Sequence, residues 1–366
     1  MARLISTNPA KNYKTIGSVT VSTPAEVARK VEEANMVKAG WKDAGLSKRM
    51  AYVQTIYQKF MEREEELISL IVKETGKSFK DARSEFERYG NAFKWFLENV
   101  ESSIKDEITY EDEKTVHKIV YEPSGTAAVI IPWNHPFGMF VWGAIPNLLV
   151  GNTVVLKHSE ECPLTGKLIE QIINSTNLPR GVFSEVYGDG KIGKILLSKE
   201  INLIWFTGSS ATGKAIYKVA AQKFIKAILE MGGSNPGIIF ADAEVDQFID
   251  KIYSKRYLTC GQTCDSLKRL IVHESLFDEV VRKLKTKVES KKFGDPEDKE
   301  TDIGSLVAER QAELLEAQVK DAVKKGAKII TGGKRPLDHK GAYYLPTILT
   351  GVNNTMRVWK EETFGP

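Results

Sequence analysis

Two spacings of apolar residues divide this chain. From Thr23 to about Lys105, apolar residues recur every three or four positions, as in "SKRMAYVQTIYQKFMEREEELISLIVKETGKS", which predicts amphipathic helices. After Gly125, short apolar runs such as "TAAVIIP", "TVVLK" and "LIWFTG" alternate with helical segments. Such alternation is typical of a parallel sheet with helices on both faces. The pattern therefore predicts a doubly wound α/β domain with a helical lead-in.

Two further segments complete the predicted architecture. Residues 108–122, "TYEDEKTVHKIVYEP", carry β-type residues among charged ones, which predicts a hairpin that protrudes from the main body. A second α/β run starts near Pro236 with "GIIFADAEVD". Because 366 residues exceed the usual size of a single hydrophobic core, we expect two domains.

Charge and composition exclude several classes of protein. Lys and Arg number 52 against 48 Asp and Glu, and they are spread over amphipathic stretches, so nothing resembles a nucleic-acid-binding arm or a membrane-binding patch. The first residues lack the apolar core of a signal peptide, and no apolar run is long enough to predict a membrane span. Three cysteines do not make a disulfide framework in so long a chain, which indicates a reducing compartment. We expect a cytoplasmic protein.

Two glycine-containing turns are candidates for binding a diphosphate. The segment "YGDGKIGKI" has the G-x-G-x-x-G spacing between a predicted strand and helix, but no acidic residue follows about 20 positions later to bind a ribose. The segment "FTGSSATGK" places Gly208, Ser209 and Gly213 at a predicted helix N-terminus, where backbone N–H groups can bind phosphate oxygens. A glycine-rich connection between strand and helix explains the first turn equally well. A simple helix cap is the favoured explanation of the second turn when that segment is considered alone.

Polar residues near strand ends are candidates for catalysis and ligand binding. Asn134 in "IIPWNHPF" is either a turn residue or an amide donor for a developing oxyanion. Lys157 and Glu160 follow an apolar strand at the edge where open α/β sheets bind ligands, although exposed charge is ordinary there. Glu230 in "ILEMGGSNP" lies between apolar residues, which predicts a buried carboxylate with either a perturbed pKa or a structural hydrogen bond.

The segment "YLTCGQTCDSLKR" places Cys260 and Cys264 four residues apart. Zinc would need further ligands, but Cys162 is distant and His273 is the only nearby histidine, so no metal site is expected. A disulfide is disfavoured in a reducing compartment. Two alternatives remain, small buried residues or a nucleophile, and the irregular, glycine-containing turn "GQTC" favours the second for Cys264.

Six segments, taken together and in this order, resemble the aldehyde dehydrogenase superfamily: "IIPWNHPF", "VLKHSEECP", "FTGSSATGK", "LEMGGSNP", "GQTCDSLKR" and "KEETFGP". The resemblance extends over nearly the whole chain and is greatest to the succinate-semialdehyde dehydrogenase branch. It implies NAD(P)-dependent oxidation of an aldehyde, with succinate semialdehyde as a candidate, to the carboxylic acid. It also implies a catalytic role for three residues: Cys264 as nucleophile, Glu230 as the base that hydrolyses the thioester, and Asn134 as oxyanion donor.

The same resemblance implies the residues that contact the cofactor. They are, in chain order, Trp133, Lys157, Glu160, Gly208, Ser209, Gly213, Glu362 and Phe364. Family members bind the diphosphate at the "FTGS" turn, so the "GDGKIG" turn is not expected to contact the cofactor. NAD is the expected cofactor because Glu160 would repel a 2′-phosphate, and NADP is the alternative because Lys157 would tolerate one.

The resemblance further implies a domain division and an assembly. Residues 1–107 and 125–232 would form the dinucleotide-binding domain, 108–124 an oligomerisation hairpin, and 233–366 an α/β catalytic domain. Family members continue beyond the "KEETFGP" segment, so we expect the catalytic domain to be incomplete at its C-terminus. We expect a homo-oligomer, either a dimer or a tetramer.

Two other functions stay open at this point. A reductase of acyl phosphates or an acyl-CoA-forming dehydrogenase shares the fold, but Glu230 argues against both because an activated water would compete for the acyl group. A truncated, catalytically impaired relative could instead serve as a binding or structural protein.

Overall fold

The computed structural model describes residues 2–366. Its strands, in chain order, are β1 (Arg3–Asn8), β2 (Lys14–Thr20), β3 (Glu107–Glu111), β4 (Val116–Ile119), β5 (Thr126–Ile130), β6 (Thr153–Lys157), β7 (Phe183–Glu185), β8 (Leu203–Gly208), β9 (Lys226–Met231), β10 (Asn235–Ile239), β11 (Leu267–Val272), β12 (Lys328–Thr331) and β13 (Ile348–Thr350).

The α-helices alternate with these strands over much of the chain. They are α1 (Pro24–Asp43), α2 (Leu46–Glu62), α3 (Glu64–Thr75), α4 (Phe79–Ser103), α5 (Pro136–Val150), α6 (Pro163–Asn174), α7 (Gly190–Ser198), α8 (Ser210–Lys223), α9 (Val245–Tyr257), α10 (Phe277–Glu289), α11 (Glu309–Lys324) and α12 (Arg357–Lys360). Short 3-10 helices occupy Pro9–Lys11, Leu258–Gly261 and Glu274–Leu276. Within residues 2–366, no helix is both long enough and apolar enough to cross a bilayer.

The chain divides into two compact units. Unit 1 contains residues 2–5, 18–67 and 85–230, and unit 2 contains residues 6–17, 68–84 and 231–366. The predicted limits differ from these units because they place residues 6–17, 68–84 and 231–232 in the first domain. These segments belong to unit 2 because they bond to it: the Ser305 N–H donates to the Gly76 carbonyl at 2.8 Å, and the Asn8 amide donates to Glu297 at 3.1 Å. The functional names given to the domains stay a prediction.

Unit 1 is built on a five-stranded sheet in the order β7-β6-β5-β8-β9. Strands β5, β6, β7 and β8 pair in parallel, with Val129 opposite Leu156 on one side and Trp205 on the other. Helices α1, α7 and α8 pack on one face in a shared apolar core, and α5 contacts β5 and β6. Because both faces are covered, the central strands are continuous apolar runs, as in "TVVLK". The predicted doubly wound sheet is confirmed.

The strand order places a ligand-binding crevice in unit 1. From β5 the chain continues to β6 on one side of the sheet and later to β8 on the other. The carboxyl ends of neighbouring strands with this reversal leave a crevice, which is where open α/β sheets bind ligands. The turns that follow β5, β6 and β8 therefore meet at this edge.

Two two-stranded sheets in the first 120 residues lie outside this sheet. Strands β3 and β4 form the predicted hairpin, with Glu107 opposite Ile119, and all of their residues are exposed. Strands β1 and β2 also pair with each other. This second pair was not predicted, because polar residues interrupt the alternation in "KTIGSVT".

Unit 2 confirms the second α/β run. Strands β10 and β11 pair in parallel, and β12 pairs antiparallel with β13. Helices α9, α10 and α11 contribute the apolar side chains of Ile252, Leu284 and Leu315 to its core. The core supports β11, which begins three residues after Cys264.

Candidate active site

Asn134 lies in the turn between β5 and α5 and is 6% exposed. The start of α5 is held by a buried acid from α4: Glu85 Oε1 accepts hydrogen bonds from the Phe137 and Gly138 N–H groups, each at 3.1 Å. Glu85 Oε2 lies 3.4 Å from His135 Nδ1. The first N–H groups of a helix have no partner within the helix, so this carboxylate caps α5 and fixes the turn that carries Asn134.

Lys157 ends β6, and its ammonium group is largely shielded from water. Its side chain is 4% exposed, its Nζ donates to the His158 carbonyl at 3.0 Å, and it lies 3.7 Å from the exposed Glu160 carboxylate. Burial lowers the pKa of Lys157, while the Glu160 charge opposes that shift. Glu160 is therefore an ordinary exposed charge at the end of a strand. Lys157 is not, because its side chain is buried.

Ser209 begins the turn from β8 into α8. Its hydroxyl accepts from the Thr212 N–H at 3.3 Å, so it acts as the N-cap of α8. Gly208 permits the strand to end there, because a Cβ at this position would overlap the Phe206 ring. Gly213 is buried in the first turn of the helix.

The "GDGKIG" turn is explained by packing. Asp189 caps α7 by accepting from the Lys191 N–H at 2.8 Å. A Cβ on Gly193 would lie 3.6 Å from the Lys157 side chain, and one on Gly188 would overlap Ile192. Only Gly188 is therefore required to be a glycine, by its φ of 148° and by the Ile192 side chain, and the turn has the structural role of a glycine-rich connection.

The prediction that Glu230 is buried is wrong. Its side chain is exposed, and the neighbouring Met231 is 40% exposed. The reason is that Glu230 lies near the end of β9, an edge strand that pairs only with β8, so its side chain has fewer neighbours than one in a central strand. A role as a base therefore cannot depend on burial of this carboxylate in unit 1.

The loop before the candidate nucleophile is strained. Thr259 and Cys260 both adopt left-handed conformations, with φ of 54° and 55°, and Gly261 follows with φ of 70°. Left-handed non-glycine residues cost on the order of 1–3 kcal/mol each and persist only where the surroundings hold them. Here the half-buried acid Asp81 of α4 accepts a hydrogen bond from the Thr259 N–H at 2.9 Å. Burial raises the pKa of Asp81 to about 6.

The two cysteines of this loop have opposite environments. Cys260 is 0% exposed, and its Sγ lies 3.6 Å from the Gly304 carbonyl. Cys264 is exposed, and the irregular glycine-containing turn predicted before it is present. Partial burial and the Asp265 carboxylate raise the pKa of the Cys264 thiol, while the backbone N–H groups of Asp265 and Cys264 and the Lys268 charge oppose the rise. Only Cys264 is therefore accessible to a reagent or substrate.

Glu362 and Phe364, the two predicted cofactor residues of unit 2, share a neighbour. Lys268 Nζ lies 2.6 Å from Glu362 Oε1 and 5.0 Å from the centre of the Phe364 ring. The Gly233 N–H also donates to Glu362 Oε1, at 3.3 Å. A side chain on Gly232 would overlap the Glu362 carboxylate, so this glycine makes room for the acid.

The structure thus assembles the predicted residues in two groups. In unit 1, Asn134, Lys157 and Ser209 follow adjacent parallel strands at one sheet edge, with Trp133 in the same turn as Asn134. In unit 2, the Cys264 loop leads to Lys268, which joins Glu362 and Phe364.

Sequence reasoning missed three residues that support these groups: Glu85, Asp81 and Lys268. Glu85 and Asp81 lie one helical turn apart in "KDARSEFERYG", and both are shielded acids in an otherwise amphipathic helix. An acid on the apolar side of a helix was the available signal. No feature of the sequence indicated Lys268, which lies four residues after Cys264.

The residues at the edge of unit 1 fit a nicotinamide dinucleotide. The N-terminus of α8 points its first N–H groups into the turn after β8, which suits a diphosphate. In the described part of the chain the buried Thr207 hydroxyl, at the end of β8, has no hydrogen-bond partner, as expected of a group that receives a ligand. Lys157 and Glu160 supply a cation and an acceptor at the neighbouring strand end.

Comparison with known proteins identifies relatives of the whole chain. The profile of the aldehyde dehydrogenase family matches residues 2–366. The chain is 32% identical over 370 residues to a succinate-semialdehyde dehydrogenase [NADP(+)] of Deinococcus radiodurans, covering 99% of this chain and 77% of the relative. It is 35% identical over 375 residues to the peroxisomal aminoaldehyde dehydrogenase 1 of Pisum sativum, covering 100% of this chain and 74% of that one.

Solved structures give the same result. A succinate-semialdehyde dehydrogenase from Burkholderia pseudomallei superposes with a TM-score of 0.95 at 32% identity, over 100% of this chain and 76% of that one. An aldehyde dehydrogenase from Bacillus cereus in its NAD+ complex superposes with the same TM-score at 28% identity, over 100% and 75% of the two chains. The chain therefore belongs to the aldehyde dehydrogenase family, and its activity is the oxidation of an aldehyde with a nicotinamide dinucleotide as oxidant.

Proposed function

We propose that Cys264 is the nucleophile, Glu230 the base and Asn134 the oxyanion donor of this aldehyde oxidation. The Cys264 thiolate forms a bond to the carbonyl carbon, and the oxygen becomes an oxyanion that accepts hydrogen bonds from the Asn134 amide and the Cys264 N–H. A nicotinamide dinucleotide held by the cofactor-binding residues would supply the hydride acceptor, and loss of hydride from this carbon would leave a thioester on Cys264. Glu230 then takes a proton from water as the water attacks the thioester, the C–S bond breaks, the carboxylic acid is released, and the Cys264 thiolate is regenerated.

The observation that carries the proposal is the contrast between the two cysteines. Cys264 is exposed at the end of a loop that the Asp81 contact holds in a strained conformation, whereas Cys260 is sealed in the core. Because the pKa of the Cys264 thiol is raised, most of it is protonated near neutral pH, so formation of the thiolate needs a proton acceptor. The exposed Glu230 carboxylate can act as this proton acceptor through water.

The proposed cofactor contacts follow the same two groups. Lys157 and Glu160 would hold the adenosine ribose, and the α8 N-terminus with Ser209 would hold the diphosphate. Glu362 and Phe364 would hold the nicotinamide ribose. We propose NAD as the preferred cofactor because the exposed Glu160 carboxylate would repel a 2′-phosphate. Because two relatives are named for NADP(+), the preference for NAD over NADP has to be measured.

The proposed substrate is succinate semialdehyde. Support comes from relatives of that name in Deinococcus radiodurans and Escherichia coli, at 32% and 31% identity. Other relatives are named for betaine aldehyde and glutarate semialdehyde. A panel of these aldehydes, with initial rates followed by the absorbance of the reduced cofactor, compares them directly, and the highest kcat/KM is expected for succinate semialdehyde.

The hairpin of β3 and β4 supports a homo-oligomer. It carries the exposed apolar side chains of Ile108, Tyr110, Val116 and Ile119, each at least 48% exposed. Its strand edges also have unpaired backbone groups that another subunit can satisfy. We also propose a cytoplasmic location, because three cysteines in this chain indicate a reducing compartment.

The test of the catalytic proposal separates hydride transfer from hydrolysis. Glu230→Gln, mixed with saturating NAD and aldehyde, is expected to give a burst of reduced cofactor near one per active site, because the first chemical steps do not need an activated water. The steady-state rate is expected to fall by roughly 10²–10⁴, the usual contribution of a general base. Absence of a burst at every pH would contradict the role of Glu230, and so would an unchanged steady-state rate.

The two cysteines provide the matched control. Cys264→Ala is expected to abolish both burst and turnover, whereas Cys260→Ala is expected to retain most of the activity. Equal losses in the two variants would contradict the assignment of the nucleophile.

A further inference from the structure

Lys268 is a buried cation whose position no catalytic step above explains. Only 1% of its side chain is exposed, although lysine is rarely buried without a partner. Its ammonium group lies 2.6 Å from Glu362 Oε1, across 94 residues of sequence. Removing an ammonium ion from water is costly, so this pair persists only because the carboxylate compensates the charge.

The same ammonium group faces a second residue proposed to contact the cofactor. Its Nζ lies 5.0 Å from the centre of the Phe364 ring, within the range of a cation–π interaction. Lys268 therefore contacts both Glu362 and Phe364. Burial lowers the pKa of Lys268, and the Glu362 carboxylate opposes that shift.

Glu362 is held on its other side by backbone. The Gly233 N–H donates to Oε1 at 3.3 Å, and the carboxylate packs against Gly232. In the described part of the chain both hydrogen bonds of this carboxylate go to Oε1, so Oε2 remains to accept a hydroxyl group from a ligand. The side chain of Glu362 is 31% exposed, which leaves it accessible.

We propose that Lys268 is a positioning residue that holds Glu362 and Phe364 in place to receive the nicotinamide ribose, and thereby sets cofactor affinity. The inference rests on the proposed cofactor role of Glu362. Lys268 does not touch the reacting atoms in this scheme. A glutamate on a flexible stem must otherwise be ordered when the cofactor binds, and a pre-formed ion pair removes that cost.

The test measures cofactor binding without turnover. The dissociation constant of NAD is obtained by quenching of tryptophan fluorescence in the absence of aldehyde, for wild type, Lys268→Met, Lys268→Arg and Glu362→Gln. Lys268→Met is expected to raise the dissociation constant about 10- to 100-fold, the worth of one hydrogen bond to a charged group. Lys268→Arg is expected to recover part of the affinity, since a guanidinium can pair with the same carboxylate.

Two further measurements identify a positioning role. In steady-state kinetics Lys268→Met is expected to raise the KM for NAD by a larger factor than it lowers kcat, since the Lys268 charge also opposes the rise in the pKa of the Cys264 thiol. The double variant of Lys268→Met and Glu362→Gln is expected to bind NAD no more weakly than the weaker single variant, because both changes remove the same contact. Lys287→Met is the matched control: Lys287 pairs with Asp250 at the surface, 2.7 Å away, and its loss is expected to leave the dissociation constant unchanged.

The outcomes separate this inference from the function on which it rests. If Glu362→Gln weakens NAD binding but a folded Lys268→Met does not, the inference is overturned and the cofactor role of Glu362 stands. If Glu362→Gln leaves the dissociation constant unchanged, both fail. Thermal unfolding shows whether each variant is folded. If Lys268→Met does not fold, Lys268→Arg, which keeps the charge, is used instead to test the role of Lys268. In that case an Arg variant with the affinity of Glu362→Gln overturns the inference, and one with higher affinity supports it.

Discussion

Removal of the Glu85 carboxylate tests how the oxyanion turn is held. In the structure Glu85 is 2% exposed, and its Oε1 accepts two N–H groups at the start of α5. Glu85→Ala would leave both N–H groups buried without this acceptor. Each buried group that loses its partner costs about 1–3 kcal/mol, and loss of a helix cap costs a similar amount. Because these contributions overlap, we expect the free energy of unfolding to fall by about 2–4 kcal/mol.

The assay combines unfolding with kinetics. Urea unfolding followed by tryptophan fluorescence reports mainly on unit 1, which contains five of the six tryptophans: Trp41, Trp95, Trp133, Trp142 and Trp205. The same variant is expected to lose roughly 10²-fold or more in kcat/KM, because Asn134 lies in the turn that Glu85 holds and a displaced oxyanion donor costs about this much.

Two controls separate hydrogen bonding from charge. Both N–H groups donate to one oxygen, so the single amide oxygen of Glu85→Gln can accept both, and less than half of the loss is expected. Glu87→Ala removes an exposed acid from the same helix and is expected to leave the midpoint unchanged. The reasoning is refuted if Glu85→Ala unfolds at the wild-type urea concentration, or if Glu85→Gln is as unstable as Glu85→Ala.

Three further predictions concern the thiol, the cofactor and the assembly. Because partial burial and Asp265 raise the pKa of Cys264, its thiolate forms at higher pH than that of an ordinary cysteine. Alkylation by iodoacetamide, followed by mass spectrometry, should therefore rise through a midpoint above the ordinary range, and Asp265→Asn should lower that midpoint. For wild type, kcat/KM is expected to be higher with NAD than with NADP. Glu160→Gln is expected to lower this ratio. A wild-type preference for NADP would contradict the ribose role of Glu160. Light scattering should show a homo-oligomer that is weakened by Ile108→Asp with Val116→Asp, and an unchanged mass would exclude the hairpin from the interface.

The sequence by itself determined the parts of this protein that depend on local pattern. Apolar runs that alternate with helical periodicity predicted the doubly wound sheet, and β-type residues among charges predicted the hairpin, because period and turn chemistry act between residues close in the chain. The motif segments indicated the aldehyde dehydrogenase family, which the comparisons confirmed. The turn "GQTC" singled out Cys264 over Cys260, and the structure supports that choice only through exposure.

Only the tertiary structure decided the environment of each candidate. Glu230 looked buried in "ILEMGGSNP", but its strand lies at the sheet edge, and strand order is not encoded by the residues of one strand. The supporting contacts join distant segments: Asp81 with Thr259 across 178 residues, Glu85 with Phe137 across 52, and Lys268 with Glu362 across 94. A buried charge is stable only beside a partner, and the partner is brought within bonding distance by the folded chain. Local patterns therefore identified the reactive groups, whereas the fold determined which of them are exposed and what holds them.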